Sequence, residues 1–357
     1  MTRRTSIEHS PGRPGRTSPA GFRVRRDEHA RVTPREIIRA NLECRNPPRI
    51  GMAFSGGRWN DLTGASLGPV PDWNPERWTE GNVEYYNDEW GNIWHRLVGR
   101  SRGGEIHTPA LRDWSDLERY RMPDIASPGR FAAARERFRA EEELFRVGGL
   151  PGFPFAICRY LRKMETYFQD LVWERRNIDR LHARVADLLE QMIVEWTDAG
   201  ADAVMFCEDW GLQDRLLVSP RMWREIFKPL FARLCGTARN GGMHVIMHSC
   251  GYVWDILDDL ADVGVSAMQF DQPALCGLDR LAEKLRAVRM CLYAPVDIQQ
   301  VMPSGDRGLI ESQARRMVDL FRHGFIATSY GDLHGIGVEP EWDNWAYEVF
   351  REAAEGS

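Results

Sequence analysis

The segment His248-Ser249-Cys250-Gly251 carries the residue types best suited to chemistry in this sequence. Residues i and i+2 of an extended chain point to the same side, so an imidazole and a thiol spaced this way can reach one metal ion from a strand end. Nitrogen and sulfur donors together suit zinc, a borderline-soft ion that accepts both. Gly251 leaves the chain free to turn sharply away and expose the pair. A third donor has to come from elsewhere; His334 is the candidate, with Asp332 competing two residues earlier.

Polar residues recur at equivalent places. Glu208-Asp209 follow the apolar run 203–207, Asp271-Gln272 follow 265–270, and Asp297 follows 289–295. Glu208 and Asp209 are read as catalytic groups that orient a substrate or supply a proton, and Asp271, Gln272 and Asp297 as substrate contacts. The competing reading for each carboxylate is a structural partner for arginine. His244 shares a strand face with His248 but lies deeper, and it reads as an interior histidine, as do His182 and His323. Cys207, Cys276 and Cys291 read as small apolar fillers.

Such residues converge only if their strands are parallel and end on one face. Hydrophobic residues at 178, 181, 185, 188, 189, 192, 193 and 196 follow helical spacing, and Gly200 ends the pattern. Ser219-Pro220 caps a helix running to Asn240-Gly241. Apolar runs at 153–158, 203–207, 243–248, 265–270, 289–295 and 324–329 read as strands. Helical stretches at 165–173, 252–262, 277–287, 308–322 and 341–354 separate or follow them. Strands apolar throughout are those of a parallel sheet covered on both sides. At least six strand–helix units with no Gly-x-Gly-x-x-Gly and no P-loop favour an α/β (β/α)8 TIM barrel over a doubly wound nucleotide-binding sheet. Strand C-termini of such a barrel open on one mouth.

The N-terminal part departs from this rhythm. Residues 1–32 hold eight arginines among Pro, Gly, Ser and Thr. That composition is expected to stay disordered; the alternatives are a targeting or nucleic-acid-binding tail, or a misplaced start codon. Arg3-Arg4 lack the apolar stretch of an export signal. Order is expected from Thr33, where Thr33, Pro34 and Glu36 form a capping box, and one barrel domain then spans 33–357. An early strand lies within 49–55. Residues 59–114 hold six of the thirteen tryptophans, and 84–95 (EYYNDEWGNIWH) reads as a hairpin turning at Gly91-Asn92. A helical and hairpin extension thus precedes the barrel.

With 43% hydrophobic and 28% charged residues among 357, the chain can bury a large core. A net charge of −5 gives no general attraction to nucleic acid, and no apolar run is long enough to span a membrane. Seven scattered cysteines with no Cys-x-x-Cys fit a reducing cytoplasm.

These residues also resemble a known family. Segments 200–229 (GADAVMFCEDWGLQDRLLVSPRMWREIFKP), 248–251 (HSCG), 265–273 (VSAMQFDQP), 165–181 (ETYFQDLVWERRNIDRL), 88–94 (DEWGNIW) and 324–341 (GFIATSYGDLHGIGVEPE) are similar to those of the uroporphyrinogen decarboxylase superfamily. Within it, the chain looks most like the zinc-dependent corrinoid methyltransferases. The resemblance implies a TIM barrel, often a homodimer, with zinc on His248, Cys250 and His334. It further implies a small-molecule substrate and a corrinoid (cobalamin) brought by a partner protein. Methyltransferases acting on a thiol usually have Cys where His334 stands, so the acceptor is left open between a thiol and a methoxylated compound. Against uroporphyrinogen decarboxylase itself, Arg58 matches only the second of two early arginines, Ala53 stands near the first, and no Phe-Ser-Asp segment follows. A corrinoid-independent lyase or decarboxylase, and a non-catalytic ligand-binding barrel, are the rival readings.

Overall fold

A computed structural model describes residues 32–99 and 103–356. The expected tail lies, apart from Val32, outside the described residues. Helix α1 (Pro34–Leu42) begins at the expected capping box. Thr33 Oγ1 accepts the Glu36 N–H, and the Glu36 carboxylate accepts the Thr33 N–H at 2.8 Å.

Eight parallel strands form the central sheet: β1 (Gly51–Ala53), β2 (Leu62–Gly64), β7 (Phe145–Gly149), β8 (Ala203–Cys207), β9 (His244–His248), β10 (Ala267–Gln269), β11 (Cys291–Ala294) and β12 (Phe325–Thr328). Their order, β1-β12-β11-β10-β9-β8-β7-β2, is that of a (β/α)8 barrel. Leu62, Phe145, Ala203, Ile246, Ala267, Cys291 and Ile326 fill its interior as one apolar layer, which Ile38 and Leu42 of α1 join.

The order begins and ends on β1 and β2, and Asp61 makes the seam between them. Its N–H donates to the Met52 carbonyl at 2.7 Å, and its buried carboxylate accepts the Met52 N–H, the Trp59 indole and two Arg49 nitrogens.

Between β2 and β7 lies an antiparallel sheet of β3 (Arg77–Glu80), β4 (Val83–Asn87), β5 (Ile93–Leu97) and β6 (Glu105–Thr108). The expected hairpin is its β4–β5 pair, turned by Gly91 at φ +82 with the Asp88 carboxylate accepting the Trp90 and Asn92 N–H groups. Helix α2 (Ala132–Ala140) precedes β7.

One expected strand is corrected. The apolar run 153–158 belongs to helix α3 (Pro154–Arg162), and the barrel strand is β7, just before it. Residues 154–159 are buried on every side of the helix, so the run lacks the polar face that would betray helical spacing. Strand β7, FRVGG, is masked by an arginine and two glycines. Gly148 is required there: a Cβ would lie 2.4 Å from the Trp196 ring.

The remaining helices follow the expected order: α4 (Met164–Trp173), α5 (Arg175–Ala199), α6 (Pro220–Met222) running through a π-helical turn into α7 (Lys228–Asn240), α8 (Leu257–Val263), α9 (Leu278–Val288), α10 (Arg307–Leu320) and α11 (Pro340–Glu355). Gly200 ends α5 at φ +86, and Ser219 caps α6. His182 is buried on α5 against the Tyr167 hydroxyl at 2.7 Å, the interior role expected of it. Among the described residues no helix is long and apolar enough to cross a membrane.

The seam yields a stability test. Asp61→Ala would leave the largely buried Arg49 without its partner, at a cost of about 3–5 kcal/mol. Urea unfolding followed by circular dichroism measures this; a loss below about 1 kcal/mol, the value of an exposed pair, would mean that Asp61 does not hold the seam.

Candidate metal centre

Alternation along the strands decides what faces the barrel mouth. Met205, Ile246, Ala267 and Tyr293 belong to the interior layer, so Cys207, His248 and Gln269, each two residues on from one of the first three, also point inward. In register, Cys207 lies beside His248, His248 beside Gln269, and Gln269 beside Tyr293.

Past their ends, β8 and β9 stay paired. The Glu208 N–H donates to the His248 carbonyl at 2.9 Å, the Trp210 N–H to Ser249 Oγ at 3.1 Å, and the Gly211 N–H to the Cys250 carbonyl at 3.2 Å. The Cys250 N–H donates to Asp209 Oδ1 at 3.0 Å. That carboxylate is thereby drawn over the β9 tip. Asp209 Oδ1 and Cys250 Sγ each lie 3.4 Å from His248 Nε2. One donor atom from each of Asp209, His248 and Cys250 lies within 4.8 Å of the others.

Gln269 settles which imidazole nitrogen faces this cluster. Its Nε2 donates to Asp271 Oδ1 at 2.8 Å, which turns Oε1 toward His248 Nδ1 in a close hydrogen bond. A carboxylate only accepts, so the amide has this orientation and Nδ1 must carry a hydrogen. In neutral His248 the lone pair is then on Nε2, aimed at Asp209 and Cys250. A carboxylate-supported amide holding the far nitrogen of a ligand histidine is a familiar supporting arrangement in metal sites. Oxygen, nitrogen and sulfur donors at this spacing fit a borderline divalent ion such as zinc and leave one coordination position open. Without an ion, burial disfavours charge on both His248 and Asp209. Their mutual hydrogen bond, the hydrogen bonds each makes with Cys250 and the neighbouring charges together outweigh it, holding the imidazole pKa up and the carboxyl pKa down.

The other expected site residues divide. Glu208, one residue out of phase with Cys207, points outward and is fully buried. Its Oε1 accepts the Ala156 N–H at 3.0 Å in the first turn of α3, and burial pushes its pKa up to about 8. It anchors a helix rather than facing the mouth. The Asp297 carboxylate, also buried, accepts the N–H groups of Ala274, Gln299 and Gln300 and so is spent on backbone. Gln272 Oε1 accepts the Gly251 N–H at 3.2 Å, steadying the loop that carries Cys250. Asp271 supports Gln269.

Neither expected third donor joins the cluster. His334 is exposed at the start of a one-turn helix and lies outside the donor group, while its neighbours Leu333 and Ile336 pack on the core. The Asp332 carboxylate accepts the Gly335 N–H at 3.2 Å within the same loop.

Three residues escaped the sequence reading. Gln269 is the polar residue in phase with Ala267. Cys207, expected as a buried filler, is exposed on the inward face beside His248. Tyr330, just past β12, feels the charges of Asp271 and Cys250, although burial is the main cause of its raised pKa. In-phase counting from the apolar strand residues would have found the first two.

The outward placement of Glu208 can be checked. Glu208→Ala should destabilise the fold by about 1–3 kcal/mol, since it leaves the buried Ala156 N–H unpaired. Glu208→Gln, which keeps the acceptor, should cost less. Thermal unfolding of both variants decides, and equal stability of Glu208→Ala and wild type would remove the anchoring role.

No curated protein matches the chain by sequence. Among solved structures, a methyltransferase from Methanosarcina mazei superposes with a TM-score of 0.57 at 17% identity, over 74% of this chain and 76% of that one, a likeness of fold. A D-psicose 3-epimerase crystallised with D-fructose reaches only 0.40 at 10% identity over 68% of this chain and 88% of that one, too loose to bear on function. The family model described as uroporphyrinogen decarboxylase (URO-D) matches residues 98–354, which cover every barrel strand from β7 to β12 together with the donor cluster. This chain belongs to the uroporphyrinogen decarboxylase family.

Proposed function

We propose that this protein is a zinc-dependent methyltransferase. It moves a methyl group between a corrinoid carried on a partner protein and a small thiol or methoxylated substrate. The observation that carries this reading is the meeting of Asp209, His248 and Cys250 at the barrel mouth, with Gln269 and Asp271 behind the imidazole. In this reading His248 and Cys250 hold the metal, with Asp209 rather than His334 as the third ligand.

Zinc bound there would supply Lewis acidity, lowering a substrate thiol's pKa or drawing electron density from a methoxy oxygen. The chain's own residues hold and orient. Gln269 fixes the imidazole, Gln272 steadies Gly251, and Tyr330, near enough to feel the charges of Asp271 and Cys250, is a neutral phenol available as a hydrogen-bond donor.

What favours methyl transfer over decarboxylation of a porphyrinogen is the use made of Arg58. Its guanidinium is tied to Asp343 at 2.7 Å and to Ser329 at 2.9 Å, within the protein rather than free for a substrate carboxylate. The seven free cysteines fit a cytoplasmic enzyme. We place the barrel domain at 33–357 behind a tail of 1–32, and take the active form as a homodimer.

Metal analysis of the purified full chain is the first test. About one zinc per chain is expected from three protein ligands and one open position, lost in His248→Ala and Cys250→Ser and reduced in Asp209→Ala. Methyl transfer should then require added methylcobalamin or a corrinoid protein. Cobalt-free turnover of a carboxylated substrate would overturn it in favour of a lyase, and unchanged function in Cys250→Ser would point to a binding barrel.

A further inference from the structure

Arg159 on α3 is about nine-tenths buried, yet the protein meets little of its hydrogen-bonding capacity. The guanidinium lies over the rings of Phe155 and Tyr160, about 5 Å from each centroid. One Nη2 bond reaches the Tyr160 hydroxyl at 3.1 Å, whereas Asp209 Oδ2 stands at 3.8 Å, beyond hydrogen-bond range. The buried Nε–H has no partner. A cation held this far from water is costly unless an anion and acceptors complete it. Aromatic faces help, but they do not satisfy N–H groups.

The same side chain borders a cavity of about 270 Å³ between the antiparallel sheet and α3. Trp94, Ile106, Tyr160 and Met164 give it an apolar and aromatic wall, and Lys163 adds a second cation. Lys163 holds a backbone φ of +65, a strained conformation for a non-glycine residue. Glu105 and Glu165 also border the cavity and balance the two cations, so a polyanion is disfavoured and any anion must be held locally by the unsatisfied Arg159 N–H groups.

We infer that Arg159, with Lys163, forms a carboxylate subsite for a small monocarboxylic acid whose apolar or aromatic body lies against Trp94 and Tyr160. Planar guanidinium and planar carboxylate suit one another in two-point contact. Arg159 borders the cavity and also stands 3.8 Å from Asp209, so the subsite adjoins the donor cluster. This deepens the proposed function, and rests on it, by giving the methyl-transfer substrate a carboxylate. The subsite itself needs no methyl chemistry.

Benzoate and its neutral analogue benzamide are suitable probes, titrated into the purified full chain and followed by calorimetry or tryptophan fluorescence. Wild type should bind benzoate at least ~10-fold more tightly than benzamide, the lower end of what a charge-assisted hydrogen bond provides. Arg159→Met should abolish that preference while zinc content is kept and thermal stability does not fall, and Arg159→Lys should keep part of it. Equal binding of the two probes by wild type would overturn the subsite. So would an Arg159→Met variant that keeps the preference but loses zinc, since Arg159 would then only position Asp209. Arg159-dependent benzoate binding in a protein without zinc would uphold the subsite while the methyl-transfer reading failed.

Discussion

Pairing of two strand ends beyond their last regular residues holds this site together. Strands β8 and β9 continue their contact through the Glu208, Trp210 and Gly211 N–H groups, and that contact lays Asp209 over Cys250. Two glycines make the approach possible. A Cβ on Gly211 would sit 2.3 Å from the Tyr252 nitrogen, and one on Gly251 would sit 2.3 Å from the Gly211 carbonyl oxygen, with Gly251 already at φ +76. Backbone cannot yield as a flexible side chain can. Gly251 thus does more than turn the chain: it lets one loop press flat against the other.

A second layer orients what the first brings together. The chain from Asp271 through Gln269 to His248 Nδ1 fixes the imidazole, and Gln272 holds the loop that carries Cys250. Most of the polar residues at the strand ends are therefore spent on geometry, and few remain to meet a substrate. Alternation sorts the rest. Cys207 faces the mouth, while its neighbour Glu208 turns outward to hold the first turn of α3, the helix that bears Arg159.

Much of this was legible in the residues. Helical spacing ending at Gly200, the Ser219 cap and the string of apolar strands indicated the barrel because each is a local signal. His248 and Cys250 stood out because their i, i+2 spacing carries chemistry within one strand tip. Asp209 as a partner of these two was less visible, since its position depends on pairing between tips far apart in sequence. His334 has the residue type and a place after a strand, but sequence alone does not show whether the closing loop reaches the β9 tip, and His334 stands exposed outside the donor group. Strand β7 and helix α3 were exchanged because a helix buried all round and a buried strand leave the same apolar trace.

The central claim is that one oxygen, one nitrogen and one sulfur from Asp209, His248 and Cys250 share an ion. X-ray absorption at the zinc edge of the zinc-loaded protein tests it most directly. One sulfur at about 2.3 Å with nitrogen and oxygen neighbours at about 2.0–2.2 Å is the expected first shell, unchanged in His334→Ala. A shell without sulfur, one with two sulfurs, or one that loses a nitrogen in His334→Ala would contradict it.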